Sequence, residues 1–495
     1  MIPKDFKFKT TPFKHQLEGI EYGLTHDKWL LSDSMGMGKS KIVIDIADIK
    51  NVKHCLIICC KNGLKWNWLN EVHTHSYEEG YILGQRQTSK GVAIGGNSQR
   101  LDDLNNIDNL PRFIITNIET LKYRIPTGEK VERKVKGKLQ LVDRYCYPIT
   151  EKLQNLCDNG KISMIVIDEA HRLRNEDSLQ AIQILKIHSP IQIAITGTPV
   201  INSPLDIFMS LKWLGYEDRT FGSFKHCYCR LGGYNGSEIL GYKNLEEITD
   251  VLDKMMLRRL KENVLDLPDK LFVDDYVEMS DKQKKIYKEA KGELLNNIDR
   301  IKKSNNPLTK FTRLRQATGY TGILSSTIKV SAKLDRMEEI VEDAVNNGDK
   351  VVVFSNWIKI TNEALQRLKR YNPAVITGDT KDSDIPIQED KFQNDDSCKV
   401  IIGTIPKMGE GFNLTQGSVI CFIDEPWDME TKKQAIDRCH RIGSTKRLTI
   451  YSLITKGTID EKVHNLVERK GEMFNILIDL KTQDNKNTLI NYLLS

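Results

Sequence analysis

The chain alternates short apolar runs with longer stretches in which apolar residues recur at helical spacing. Met164–Ile167 (MIVI), Cys55–Cys60 (CLIICC), Phe113–Asn117 (FIITN) and Ile191–Ile195 are runs of the first kind. Each reads as a strand buried on both faces, the pattern of a parallel sheet. Between them come segments of helical type, such as Ile42–Ile49 and a helix opening behind Pro12 in Thr11–Ile20. Strand-plus-loop units with helices between them predict a doubly wound parallel sheet. From about Asn202 to Lys333 the texture changes to helices rich in Lys, Leu and Asn. A second α/β pattern follows, with strands at Val351–Ser355, Ala374–Gly378, Lys399–Gly403 and Val419–Ile423. The expected fold class is α/β: two doubly wound parallel-sheet lobes, 1–215 and 331–495, with a helical insertion region at 216–330.

At 495 residues the chain is too long for one core. Its 39% hydrophobic and 28% charged residues fit a folded chain rather than a disordered one. No apolar run approaches the ~18 residues that span a bilayer, and MIPKDFKFKT at the start lacks a signal-peptide core. The expectation is a cytoplasmic protein (host cytoplasm for a viral one) with no membrane partner. A net charge of +6 permits a nucleic-acid partner without demanding one. The ten cysteines contain no C-x-x-C pair, so reduced thiols are expected, and no metal beyond a nucleotide-bound Mg²⁺.

The chemistry concentrates at the ends of the strands. Asp168 and Glu169 come directly after Met164–Ile167, where an open α/β sheet places its ligands. An acid pair there suits a Mg²⁺-nucleotide, one carboxylate serving the metal and the other the attacking water. A polar turn capping the next helix is the competing reading. Upstream, Trp29–Ser40 (WLLSDSMGMGKS) runs from a strand through Gly36 and Gly38 to Lys39 and Ser40 and then a helix. Glycines let backbone N–H groups crowd a phosphate, the helix N-terminus adds its dipole, Lys39 reaches the β/γ-phosphates and Ser40 ligates Mg²⁺. Asp33 stands where the generic phosphate loop has its first glycine. Gln16 offers a donor and an acceptor to an adenine edge, although a surface glutamine is the plainer reading.

Three further segments carry candidate contacts. The strand-end loops with Trp66 and Trp68, and with Thr116 and Asn117, could hold a nucleic-acid backbone, or be ordinary loops with the tryptophans as core. Lys122–Arg144 has eight basic residues, Lys134 and Lys136 among them, against three acidic ones, and reads as a β-hairpin around Gly137. It is either a phosphate-contacting element or a solvated excursion. Arg258 and Arg259 offer the same choice between phosphate contact and a solvated helix face. Arg438 and Arg441, three apart in Gln434–Gly443, would share one helical face and clamp a phosphate as arginine fingers from the second lobe. Thr196–Pro199 (TGTP) could couple the nucleotide state to motion.

Taken together these blocks resemble helicase superfamily 2 and, within it, the DEAH-box Swi/Snf-related DNA-translocase ATPases. The blocks are DSMGMGKS, DEAHRLRN, TGTPVINSPLDIF with Asn202, RRLKENVLDLPDK, Leu314–Gln316, Ser331–Leu334, FSNW at 354–357, GEGFNL at 409–414 and QAIDRCHRIGS at 434–444. They span roughly residues 12–470. The resemblance implies two RecA-like lobes, with Gln16 on adenine, Gly36, Gly38, Lys39 and Ser40 on phosphates and Mg²⁺, Asp168 on Mg²⁺ and Glu169 activating water. Arg438 and Arg441 become the fingers, Gln434 lies near the cleft, and Thr116, Asn117, Thr196 and Thr404 fall in segments that track DNA or couple to it. The chain departs from the family at Ser34 (usually Glu), Cys60 (near a Pro), Lys407-Met408 (Ala-Gly) and Ser444 (Gln). None of these removes a catalytic group.

The function so implied is an ATP-dependent DNA translocase that moves along double-stranded DNA and remodels DNA or DNA–protein complexes. The alternative is a strand-separating, annealing or branch-migrating helicase, and a structural subunit without turnover is a third. Implied partners are ATP, Mg²⁺, double-stranded or branched DNA and replication or recombination proteins, with the chain acting as a monomer. No bromodomain, chromodomain, zinc finger or histone-contact extension is recognisable and the tail after Lys470 is short. The expectation is therefore a bare motor rather than a chromatin remodeller.

Overall fold

Val, Ile, Leu and Cys fill the central strands of two separate parallel sheets, because strands covered by helices on both faces have no side that needs to be polar. The computed structural model describes residues 2–468 except 61–63, 90, 136–137, 200–202, 233–237, 297–310, 382–383, 409–411 and 428, and without the side chains of 91, 133–140 and 466–468. Two compact units divide the chain, Met1–Val264 and Leu265–Ser495. No helix among the described residues is long and apolar enough to cross a membrane.

In chain order the first unit holds β1 (Lys28–Leu31), β2 (Cys55–Cys59), β3 (Gly80–Ile82), a small hairpin of β4 (Gln85–Thr88) and β5 (Gly91–Ile94), and β6 (Phe113–Asn117). The long hairpin of β7 (Ile125–Val135) and β8 (Lys138–Cys146) follows, then β9 (Met164–Asp168), β10 (Ile191–Ile195), the hairpin β11 (Cys229–Gly232) with β12 (Glu238–Tyr242), and β13 (Met256–Leu257). Seven of these form one sheet in the order β13-β1-β10-β9-β2-β6-β3, parallel throughout. One face packs Leu30, Leu56, Ile114, Ile165 and Ala194 into an apolar cluster; the opposite face packs Trp29, Ile57, Phe113, Val166 and Ile193 into another. Helices α1 (Lys14–Thr25), α2 (Lys39–Ile49) and α3 (Leu64–His75) contribute to the second cluster.

The register places the functional edge. Leu31 lies beside Ile195, Ile195 beside Asp168, Asp168 beside Cys59 and Cys59 beside Asn117. One row across the carboxyl edge therefore carries the last residues of five strands. The segments beginning at Ser32, Thr196, Glu169, Cys60 and Ile118 all leave from it.

The second unit contains β14 (Lys270–Val277), β15 (Lys350–Ser355), β16 (Ala374–Ile376), β17 (Val400–Thr404), β18 (Gly417–Phe422) and β19 (Leu448–Thr455). They form a parallel sheet in the order β14-β19-β18-β15-β17-β16, again with an apolar cluster on each face. The fold is α/β with two doubly wound parallel sheets, as the apolar runs imply. The stretch from 202 to 333 nonetheless holds strands as well as helices: β13 edges the first sheet and β14 the second. From Phe272 onward β14 alternates exposed and covered positions, and Asp274 and Asp275 break its apolar residues, an edge-strand pattern.

Candidate nucleotide site and basic hairpin

The candidate phosphate loop is built from two left-handed glycines and a long-range strut. Gly36 and Gly38 have φ of 76° and 72°, conformations a side chain strains to adopt. At Gly38 a Cβ would also stand 2.3 Å from Gln16 Nε2. Gln16 is buried, which overturns the surface reading: its Oε1 accepts from Phe13 N–H at 2.9 Å and its Nε2 donates to Met37 O at 3.3 Å. An amide has two donors and two acceptor lone pairs, so one of each remains for a ligand. Lys39 Nζ donates to the carbonyls of Asp33 (2.8 Å) and Ser34 (3.1 Å), spanning the loop. Ser40 follows in the first turn of α2.

Behind the loop, the fully buried Asp33 carboxylate pairs with Arg259 at 2.6 Å. Ser32 N–H and Ser34 N–H donate to Leu257 O and Arg259 O, so β13 and its extension brace the loop from outside. Arg259 is thus tied to Asp33 and lies outside any helix, so it is not part of a solvated helix face, while Arg258 beside it is exposed. The substituted Ser34 accepts Lys261 N–H at 3.2 Å.

Asp168 closes β9 with both carboxylate oxygens engaged. Oδ1 accepts Glu169 N–H at 2.9 Å and Oδ2 accepts the Trp68 indole N–H at 2.8 Å. Burial, then the adjacent Glu169 charge, push the Asp168 carboxyl well above the usual carboxylate range, against the Trp68 hydrogen bond and the Lys39 charge. An acid in this position gains from a cation, and oxygen donors such as Asp168 and Ser40 suit Mg²⁺. Glu169 adopts φ 56°, ψ 47°, a left-handed conformation that costs a non-glycine residue of order 1 kcal/mol. Its Oε2 lies 3.2 Å from His171 Nδ1, which lies 2.9 Å from Thr196 Oγ1, and that hydroxyl accepts Thr198 N–H at 3.1 Å. Gly197 lets the same loop approach the phosphate loop, since a Cβ there would meet Met35 Cγ at 2.9 Å.

Further along the edge, Thr116 and Asn117 are buried in a hydroxyl–amide chain. Thr116 donates to Thr120 Oγ1 at 3.2 Å and Thr120 to Asn117 Oδ1 at 2.7 Å. The side chains engage each other, so at this edge they shape the loop. The β7–β8 hairpin pairs antiparallel as a separate two-stranded sheet. Arg124 stacks over Tyr145 at 4.3 Å and Arg144 pairs with Glu129 at 2.9 Å. The side chain of Lys134, all of Lys136 and Gly137, Asn202, and residues 409–411 of GEGFNL lie outside the described residues.

In the second unit the helix Met429–Ile436 ends before the arginines. Arg438 and Arg441 therefore do not share a helical face: Arg438 N–H and Cys439 N–H already make i−3 bonds, and the chain turns on towards Gly443 at φ 100°. Arg438 Nε donates to Gln434 O at 3.2 Å and Arg441 Nη1 to Phe412 O at 3.2 Å. Gln434 and Thr404 are buried, Thr404 closing β17. Nearby groups to which no role attaches in the sequence form a buried ionic network. Lys432 and His464 meet Glu425 at 2.6 and 3.0 Å, and Lys333 meets Asp460 at 2.6 Å. The Arg315 guanidinium lies over the rings of Trp427 and Trp357, at 4.5 and 5.4 Å. The only signal for it in the sequence is that Arg315, Lys333 and Trp357 stand inside recurring blocks.

Residues 15–323 match the SNF2-related domain, and residues 332–443 the helicase conserved C-terminal domain. The chain is 27% identical over 479 residues to an uncharacterized ATP-dependent helicase of Mycoplasma pneumoniae, covering 93% of this chain and 41% of the relative. It is 28% identical over 531 residues to an ISWI chromatin-remodeling complex ATPase of Saccharomyces cerevisiae, covering 97% of this chain and 43% of that protein. With the DNA annealing helicase and endonuclease ZRANB3 of Bos taurus it shares 23% identity over 494 residues, 95% of this chain and 41% of the relative. The chain thus spans less than half the length of these relatives.

Proposed function

The chain belongs to the SNF2-related domain family, and from that premise we propose that it hydrolyses ATP to move along double-stranded DNA, remodelling DNA or DNA–protein complexes. The observation that carries the reading is the row Leu31–Ile195–Asp168–Cys59–Asn117, which sends the phosphate loop, the acid pair and the hydroxyl loops out of one sheet edge.

In this proposal the N–H groups around Gly36 and Gly38 and the Lys39 ammonium hold the phosphates. The free donor and acceptor of Gln16 meet the adenine. Ser40 and Asp168 hold Mg²⁺, which supplies charge to neutralise the phosphate oxygens. Glu169 orients the attacking water and takes its proton. Arg438 and Arg441 supply positive charge to the transferring phosphoryl group, with Gln434 supporting Arg438 through its carbonyl. Thr116, Asn117 and Thr404 shape the loops that meet the DNA backbone, and Lys134 and Lys136 add phosphate contacts. We place the protein in the cytoplasm, as a monomer that meets replication or recombination proteins.

Steady-state ATP hydrolysis tests this, with no nucleic acid, single-stranded DNA, duplex DNA, forked DNA and RNA, each at two salt concentrations. Stimulation by duplex DNA that weakens at higher salt is the expected result, and stimulation by RNA alone overturns it. Strand displacement on the forked duplex would transfer the assignment to a strand-separating, annealing or branch-migrating helicase.

A further inference from the structure

One partner of the acid pair comes from the apolar core. Trp68 on α3 is 2% exposed and belongs to the same apolar cluster as Leu64, Leu69, Val72 and Val166. Its indole N–H nevertheless donates to Asp168 Oδ2 at 2.8 Å. The fold does not require this pairing. Trp29 is fully buried in the same cluster with no hydrogen-bond partner at Nε1, and the buried Trp213 donates to a main-chain carbonyl, Ile187 O, at 3.0 Å. Trp68 spends its donor on a carboxylate instead, a charge-assisted bond of the stronger kind.

With Glu169 N–H on Oδ1 and Trp68 Nε1–H on Oδ2, each oxygen of Asp168 accepts one bond, from a main-chain amide and from a buried indole. Two such bonds fix the plane of the carboxylate and leave each oxygen a lone pair. We propose that Trp68 is a positioning residue: it sets the orientation in which Asp168 offers those lone pairs to the hydration shell of the divalent cation that accompanies the nucleotide. The inference rests on the reading of Asp168 given above. Groups that orient a metal-binding side chain are worth roughly 10–100-fold in metal affinity.

Affinity for a fluorescent ADP analogue, measured in Mg²⁺ and in EDTA, tests it with Trp68→Phe, Asp168→Ala and the double variant. Trp68→Phe is expected to weaken binding in Mg²⁺ by about tenfold, to leave binding in EDTA unchanged, and to have no further effect once Asp168 is alanine. A tryptophan that merely packs would weaken both affinities alike, or lower only the melting temperature, and its effect would add to that of Asp168→Ala; either result overturns the inference. If Asp168→Ala alone leaves the Mg²⁺ dependence intact, the metal role of Asp168 falls, and this inference with it. Where Trp68→Phe does not fold, benzothienylalanine at position 68, equal in shape but without the N–H, makes the same comparison.

Discussion

Asp33 and Arg259, 226 positions apart, form a two-pronged ion pair directly behind the candidate phosphate loop. Arg259 Nη2 meets Oδ2 at 2.6 Å, Nε meets Oδ1 at 3.1 Å, and the Arg259 main-chain N–H donates to the same Oδ1 at 3.0 Å. The guanidinium also donates to His15 O and reaches Glu18 at 3.4 Å. One side chain therefore ties together the loop, α1 and the extension of β13. Where a generic phosphate loop uses a glycine, this one uses a buried carboxylate with a dedicated cation.

Arg259→Ala should leave the Asp33 charge buried and unpaired, at a cost of about 3–5 kcal/mol. Arg259→Lys should recover only part of it, because an ammonium cannot occupy both carboxylate oxygens in the planar fork. Chemical denaturation reads the loss. Nucleotide affinity should fall in parallel, since the loop loses its outer brace. Equal stability of wild type and Arg259→Ala would mean that the pair adds nothing net to the stability of the fold.

The strands that the sequence reveals are those that carry an unbroken apolar run. Cys55–Cys59 and Met164–Ile167 are apolar on both faces, so the run itself marks them. β19 interleaves Thr449, Tyr451 and Ser452 with its apolar residues and gives no such run, although most of it is buried. The phosphate loop and acid pair are legible because their residues are contiguous. Arg259, Trp68 and the lining of Gln16 are not, because each is defined by a partner far along the chain. The arginine spacing misleads for a related reason: a three-residue interval marks a helical face only while the helix continues, and Met429–Ile436 stops short of both arginines.

The network around Glu425 should make the second unit sensitive to pH on both sides. Burial would raise the Glu425 carboxyl, but the His464 hydrogen bond and the Lys432 charge bring it down to about 2. Burial would likewise lower His464, yet the hydrogen bond and charge of Glu425 and the Asp274 carboxylate raise it above the usual histidine value of 6.5. Glu425 thus contributes stability above about pH 4.5 that is lost as pH falls towards 2. His464 contributes stability below about pH 6.5 that is lost as pH rises through its elevated folded value. Melting temperatures between pH 5 and 9 should decline on the alkaline side. His464→Gln should be lower at pH 6 and flatter above it.

Replacing residues 127–144 by Asn-Gly should remove the β7–β8 hairpin and leave the main sheet intact, because the hairpin pairs only with itself. Residues 127–144 hold six basic and three acidic residues, a surplus of three positive charges in a chain whose net charge is +6. The truncated protein should bind duplex DNA more weakly, with a log–log salt slope shallower by about 3–5, near one for each phosphate the hairpin would neutralise. Turnover without DNA should be unchanged. An unaltered slope in a binding titration would reduce the hairpin to a solvated excursion.

Glu169 Oε2 lies within ion-pairing distance of His171 Nδ1, 3.2 Å, and His171 joins Thr196, and Thr196 joins Thr198, by hydrogen bonds of 2.9 and 3.1 Å, which connects the acid pair to the neighbouring strand-end loop. If Glu169 handles the proton of the attacking water, Glu169→Gln should lower kcat by about 10²–10⁴-fold while nucleotide binding survives. Thr196→Val keeps the shape of the side chain but removes the acceptor for Thr198 N–H and the partner of His171. It should lower kcat by only about tenfold, the worth of one buried hydrogen bond. The two effects should not add: once Glu169 no longer handles the proton, disturbing the residues that hold it costs little more. Kinetics of the double variant therefore decide whether the link serves catalysis. A double variant as slow as Glu169→Gln alone supports a coupled unit, whereas a further tenfold loss would make Thr196 an independent contributor.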